Sequence, residues 1–154
     1  GAAAPPVHAG GGYNPPTGPG GRHRGPHEES DCMFEISVSE TFEATHQLRY
    51  PDGRLETPHA HAWHVTATYA GPGLNDAGVL VDFGVVKGRL RELCATLAGQ
   101  SLNRLLVFAK RQPSAENVAV VLAEGLPHAL PGAVCLRCVA VEEEPGCVAR
   151  YWPE

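Results

Sequence analysis

The residues with the most chemistry in them lie in Pro58-His59-Ala60-His61-Ala62-Trp63-His64-Val65-Thr66-Ala67-Thr68-Tyr69. This stretch begins as a polar knot and runs on as an apolar, β-branched and aromatic strand. Side chains on a strand alternate faces, so His59 and His61 project from the same side with their imidazoles close together. Two imidazoles at i and i+2 make half of a metal site, and a third nitrogen stands upstream in Phe42-Glu43-Ala44-Thr45-His46. Three histidines with no fourth protein ligand leave one tetrahedral position of a zinc ion open, which is the catalytic pattern rather than the structural one. A His-x-His pair also occurs on half-buried strands that bind nothing, so the pair needs support from the rest of the chain. By the same alternation His64 points away from His59 and His61 and stays outside the set.

The elements that must position these groups follow from the pattern around them. In Met33-Phe34-Glu35-Ile36-Ser37-Val38-Ser39-Glu40 the apolar and polar residues alternate, which predicts a strand with one buried face continuing to His46. Arg49-Tyr50-Pro51-Asp52-Gly53-Arg54 is turn chemistry, so the two histidine-bearing strands read as an antiparallel pair whose loop delivers residues 49–58 to the metal. After Gly71-Pro72-Gly73 and the turn at 75–78, Asp82 is placed to cap a helix. Phe83, Val86, Leu90, Leu93 and Leu97 form the apolar stripe of that helix. Pro113-Ser114-Ala115-Glu116-Asn117 opens a second helix, with Val118, Val121 and Leu122 as its buried side and Gly125 and Pro127 at its end. Two strands close the chain, 134–141 and 147–152, around a turn at Pro145-Gly146. The order is ββααββ, an α+β domain with two helices on one face of a four-stranded antiparallel sheet.

Composition narrows the partners. At 154 residues and 43% hydrophobic content the chain suits one domain, and its net charge of -5 argues against a nucleic-acid partner. No segment approaches the apolar length that crosses a bilayer, which predicts a soluble protein with no membrane role. The five cysteines make no ligand-type cluster. Cys135 and Cys138 are expected to face opposite sides of a strand as buried, reduced thiols, in keeping with a cytoplasmic location. Residues 1–32, rich in Gly and Pro, read as a flexible extension or a non-native leader, with Met33 a plausible start of the domain at 33–154.

Taken together, these motifs resemble the 6-pyruvoyl-tetrahydropterin synthase and 6-carboxytetrahydropterin synthase family over nearly all of residues 33–152. Phe42-Glu43-Ala44-Thr45-His46-Gln47-Leu48 resembles its F-x-A-x-H-x-L, and Pro58-His59-Ala60-His61-Ala62-Trp63 stands where it has L-H-G-H-N-Y. Val81-Asp82-Phe83, Leu102-Asn103, Pro113-Ser114-Ala115-Glu116-Asn117 and Val139-Ala140-Val141-Glu142-Glu143-Glu144-Pro145 follow in the family's order. The resemblance implies the tunnelling fold, zinc on His46, His59 and His61, and Glu143 and Glu116 as substrate-binding residues. It also implies a trimer or hexamer of identical subunits with sites between them.

The chemistry implied is that of a lyase acting on 7,8-dihydroneopterin triphosphate or a related dihydropterin, in folate or queuosine precursor synthesis. The departures fall on the proton movers. Leu55 stands where the family has its catalytic Cys, and Ala98-Gly99 stand where it has Asp-His. Glu56, three residues before His59, resembles the Glu of a subgroup that cleaves the side chain to 6-hydroxymethyl-7,8-dihydropterin. Its other reading is a solvated loop residue. The alternative for the whole chain is a degenerate or repurposed relative that keeps metal and a planar heterocycle without the elimination chemistry.

Overall fold

The two histidine strands pair along their whole length. β1 (Phe34–His46) and β2 (His59–Gly71) are antiparallel from Phe34 opposite Gly71 to His46 opposite His59. This register sets His46 and His59 face to face at one end of the pair. The structure, a computed structural model, describes residues 33–154. The expectation for residues 1–32 lies outside the described residues, and so does Cys32.

Two helices follow β2, α1 (Phe83–Leu97) and α2 (Ala115–Gly125), separated by single 3-10 turns at Leu102–Arg104 and Leu106–Phe108. Asp82 caps α1, its carboxylate accepting the Gly84 N–H at 2.7 Å, and Ser114 caps α2 through the Asn117 N–H. The chain ends in β3 (Ala129–Leu130), β4 (Val134–Glu144) and β5 (Cys147–Tyr151). β4 lies beside β2, and its other edge is shared by β3 and β5. The sheet is therefore four positions wide, as the pattern predicts, with the fourth position divided between two short strands. None of the helices among the described residues is long and apolar enough to cross a membrane.

Both helices cover one face. Trp63, Val65, Ala67 and Tyr69 of β2 alternate into the core and meet Val139 and Val141 of β4. α1 packs mainly on β1, and α2 on β4 and β5. The helices approach each other closely at Gly125, where an added Cβ would lie 2.7 Å from Leu93 Cδ2.

Two expectations are corrected. Phe83 is 56% exposed, and the buried stripe of α1 is Val86, Leu90, Cys94 and Leu97, because the helix starts at Phe83 and turns that residue outward. Cys135 and Cys138 do not face opposite sides. Thr68 pairs with Cys138 and Tyr69 with Leu136, leaving Arg137 as an extra residue in β4. That bulge reverses the alternation. Leu136 and Val139, three apart, are both buried, so Cys135 and Cys138 share the face away from the helices, half-buried. Among the described cysteines only Cys94 is a core thiol, and Cys147 is exposed.

Leu90 is fully buried where α1 meets the sheet. Leu90→Ala should cost about 2–5 kcal/mol in urea unfolding, and Phe83→Ala about 0.5 kcal/mol or less. Equal costs would mean that the helix presents a different face.

Candidate metal centre

His46 ends β1 and His59 opens β2, so the strand register alone puts their rings together, with His61 one alternation further along the same face. The ring centroids are 4.7 Å apart for His46 and His59, 4.7 Å for His59 and His61, and 5.2 Å for His46 and His61. The Trp63 indole forms the apolar floor, edge-on to His46 at 4.8 Å, and is held by its Nε1–H donating to the Ala44 carbonyl.

Backbone carbonyls decide which nitrogens face inward. His46 Nδ1 lies 2.7 Å from the Pro113 carbonyl and His59 Nδ1 lies 2.8 Å from the Thr57 carbonyl. A carbonyl oxygen only accepts, so each Nδ1 carries the ring proton. The Nε2 atoms of His46 and His59 then turn toward each other at 3.1 Å. His61 Nε2 is buried with no hydrogen-bond partner. A metal ion would serve all three nitrogens at once.

The donor set fits zinc. Two nitrogens on one tetrahedral zinc, each bonded at about 2.0–2.1 Å, stand about 3.3–3.4 Å apart, close to the spacing of His46 and His59. Ring N–H groups held by carbonyls are the usual outer support of histidine ligands. The fourth group is Glu143, whose Oε1 is 2.8 Å from His46 Nε2 and 3.4 Å from His61 Nε2. The ligand atoms of His46, His59, His61 and Glu143 all lie within 4.8 Å of one another. The fourth position, expected to be open, thus has a carboxylate at hand.

Glu143 arrives there by alternation along β4, two residues beyond the buried Val141. β4 and β5 also slip register there, between Glu142 and Glu144. The Glu142 carboxylate accepts the Gly146 N–H at 2.7 Å in the hairpin turn and lies on the opposite face with His64. Glu144 does not stay wholly apart: its Oε1 sits 3.9 Å from His61 Nδ1 at the solvent rim.

The remaining candidates lie outside the four-residue set. Glu56 Oε2 accepts the Leu48 N–H at 3.1 Å and is 3.9 Å from His59 Nδ1, the ring edge turned away from the cluster. Glu116 is exposed in the first turn of α2, where a negative charge favours the helix N-terminus. His64 is exposed on the far face, bonded to Thr41 Oγ1 at 3.0 Å. Leu55 is 52% exposed in the loop between the strands. Gly99 has φ +71°, and its N–H donates to the Glu43 carbonyl at 2.7 Å, so this position serves as a turn that ties the end of α1 to β1. Neither of the two thiols with a resolved shift replaces the missing Cys. Burial pushes Cys94 up to about 12, with Glu40 adding to the effect, and burial also raises Cys138. The Pro113 and Thr57 carbonyls were not legible as site groups, because backbone atoms leave no mark in residue type.

Comparison with known proteins adds three findings. A family model described as 6-pyruvoyl tetrahydropterin synthase matches residues 35–154. A probable 6-carboxy-5,6,7,8-tetrahydropterin synthase of Halobacterium salinarum is 29% identical over 118 residues, covering 69% of this chain and 78% of that one. Among solved structures, the 6-pyruvoyl tetrahydropterin synthase of Caenorhabditis elegans superposes with a TM-score of 0.67 at 19% identity, covering 79% of this chain and 96% of that one. A Plasmodium vivax 6-pyruvoyltetrahydropterin synthase, solved with a catalytic glutamate changed to alanine, gives 0.61 at 18%, covering 79% and 98%. At these identities the structures speak for the fold.

Removing one imidazole should break the centre. Zinc content of His59→Ala, measured by atomic emission after dialysis, should fall well below one equivalent. A full equivalent retained would contradict the assignment.

Proposed function

The chain belongs to the 6-pyruvoyl tetrahydropterin synthase family, and from that premise we propose that it is a zinc-dependent lyase acting on 7,8-dihydroneopterin triphosphate or a related dihydropterin. The observation that carries the reading is the convergence of three imidazole Nε2 atoms, one of them buried without a partner. His46, His59 and His61 would hold the ion. Zinc there would supply Lewis-acid polarisation of a hydroxylated side chain, making its neighbouring C–H bonds more acidic.

This chain's own residues would do the rest. Glu143 offers a carboxylate that can accept paired hydrogen bonds from a ring N–H and an exocyclic amine, and so can orient a pterin. Glu56 is the proton acceptor in this reading. It stands beside His59 and needs only to release the Leu48 N–H to turn toward a substrate. The Plasmodium vivax enzyme with a catalytic glutamate supports a glutamate in that role. Glu116 is the weakest member of the proposal, since the helix N-terminus accounts for it equally well. We place the activity in the cytoplasm.

A second reading has an observation of its own. If Glu143 stays in the donor set, the centre has four protein ligands and resembles a closed site. The chain would then keep the metal without turnover. One experiment separates the two. Zinc-loaded protein is incubated with 7,8-dihydroneopterin triphosphate and the pterin products are followed. The lyase reading expects turnover that falls about 10²–10⁴-fold in Glu56→Gln, the loss typical of a positioned base, with zinc content unchanged. Wild-type turnover in Glu56→Gln would return Glu56 to a loop role, and no turnover on any dihydropterin phosphate would favour the closed site.

Assembly is the other part of the proposal. β1 is the edge of the sheet and 13 residues long, with β2 as its strand partner among the described residues. An exposed edge of that length invites pairing with another copy. Light scattering should show a homotrimer or homohexamer at micromolar concentration, and a monomer would contradict it.

A further inference from the structure

β1 and β2 stop pairing where His46 meets His59, yet the chain from His46 to Arg49 is held at every residue. Two side-chain amides stand in for a neighbouring strand. Asn103 donates to the Gln47 carbonyl at 2.8 Å and accepts the Gln47 N–H at 2.9 Å. Gln112 accepts the Arg49 N–H and donates to the Arg49 carbonyl at 3.4 Å. A carboxamide carries both a C=O and N–H groups, so it can serve a peptide unit as strand backbone does. Leu48 lies between these two ties and pairs with Glu56 instead. Its N–H donates to the Glu56 carboxylate at 3.1 Å, and its carbonyl accepts the Glu56 N–H at 2.9 Å.

Gln112 differs from Asn103 in what stands next to it. The following residue is Pro113, whose carbonyl holds His46 Nδ1 at 2.7 Å. The Gln112 carbonyl accepts the Asn117 side-chain N–H at 2.8 Å and the Ser114 N–H at 2.9 Å, which fixes the residue to the first turn of α2. Two neighbouring residues therefore bind His46 and Arg49, three apart on the other segment, and the four close a small frame. Without the Gln112 side chain, the His46 bond alone would remain of these two links. Gln112 is exposed, and water would satisfy its amide as readily. Its bonds thus add position more than stability.

We propose that Gln112 is a positioning residue for the metal centre, holding the Pro113 carbonyl against His46 so that His46 Nε2 stays turned toward the cluster. A histidine ligand that loses the support of its outer N–H rotates more freely and binds its metal less tightly. Such outer supports are typically worth about 10–100-fold in metal affinity. Gln112 acts through Pro113 rather than on the ring itself, so the lower end of that range applies. The inference deepens the zinc reading and rests on it.

Zinc affinity of the full chain, read by competition with a chromophoric chelator, tests it. Gln112→Met matches the side chain in length and removes both hydrogen bonds. It should weaken zinc binding about tenfold. Gln112→Glu keeps an acceptor for the Arg49 N–H and should recover most of that loss. Arg89→Gln is the control, because Arg89 makes a comparable side-chain tie from α1 to the Gly125 carbonyl, at 3.2 and 3.3 Å. It should leave zinc affinity unchanged. A tie that only stabilises the fold would lower the urea midpoint in both variants and zinc affinity in neither. A second readout is the His46 Nδ1–H proton in nitrogen-15-labelled, zinc-loaded protein, which should exchange with water faster in Gln112→Met and not in Arg89→Gln. Wild-type affinity or unchanged exchange in Gln112→Met would overturn the assignment, and so would an equal loss of affinity in Gln112→Glu or Arg89→Gln. A wild-type protein that takes up no zinc would defeat the metal reading itself. Full zinc binding with no loss in Gln112→Met would defeat the positioning role alone.

Discussion

The convergence of three imidazole nitrogens on one point is the constraint on which the rest of this structure depends. Carbonyls of Pro113 and Thr57 take the Nδ1 protons of His46 and His59 and turn the Nε2 atoms inward. Leaving a buried nitrogen such as His61 Nε2 unpaired costs about 1–3 kcal/mol. A metal ion bound there would recover that loss, and its binding would then be coupled to folding. The apolar floor at Trp63 strengthens the effect, because a low local dielectric magnifies the attraction between a cation and its ligands.

The scaffold around that constraint is built to hold positions. The β1–β2 pairing runs without a slip to His46 opposite His59, so an error of one residue would send a ligand to the solvent face. Irregularity is confined to β4. The first bulge lies at Arg137 and the second at Glu143, beside the cluster. Loops elsewhere are tied by backbone bonds. The left-handed turn at Gly99 anchors the end of α1 to β1.

Much of this was legible in the sequence, for a definable reason. Period-two alternation is a local property, so His59, His61 and Trp63 could be put on one face and His64 on the other without coordinates. The Asp82 and Ser114 caps depend on a few neighbouring residues and were equally readable. What failed depended on partners distant in the chain. The bulge at Arg137 arises from pairing with Thr68 and Tyr69, and it moved Cys135 and Cys138 onto one face. Phe83 looked like the first member of an apolar stripe, and only the packing of α1 on β1 shows that Cys94 belongs there in its place. The Glu56 carboxylate bonds a backbone N–H eight residues back, a contact that residue identity does not announce.

The central claim is that His46, His59 and His61 together bind one zinc ion. X-ray absorption at the zinc edge of protein loaded with one equivalent tests it most directly. The account predicts a first shell of nitrogen and oxygen at about 2.0–2.1 Å with the outer-ring scattering of three imidazoles and no sulfur. A shell containing sulfur at about 2.3 Å, or scattering from fewer than three imidazoles, would contradict it.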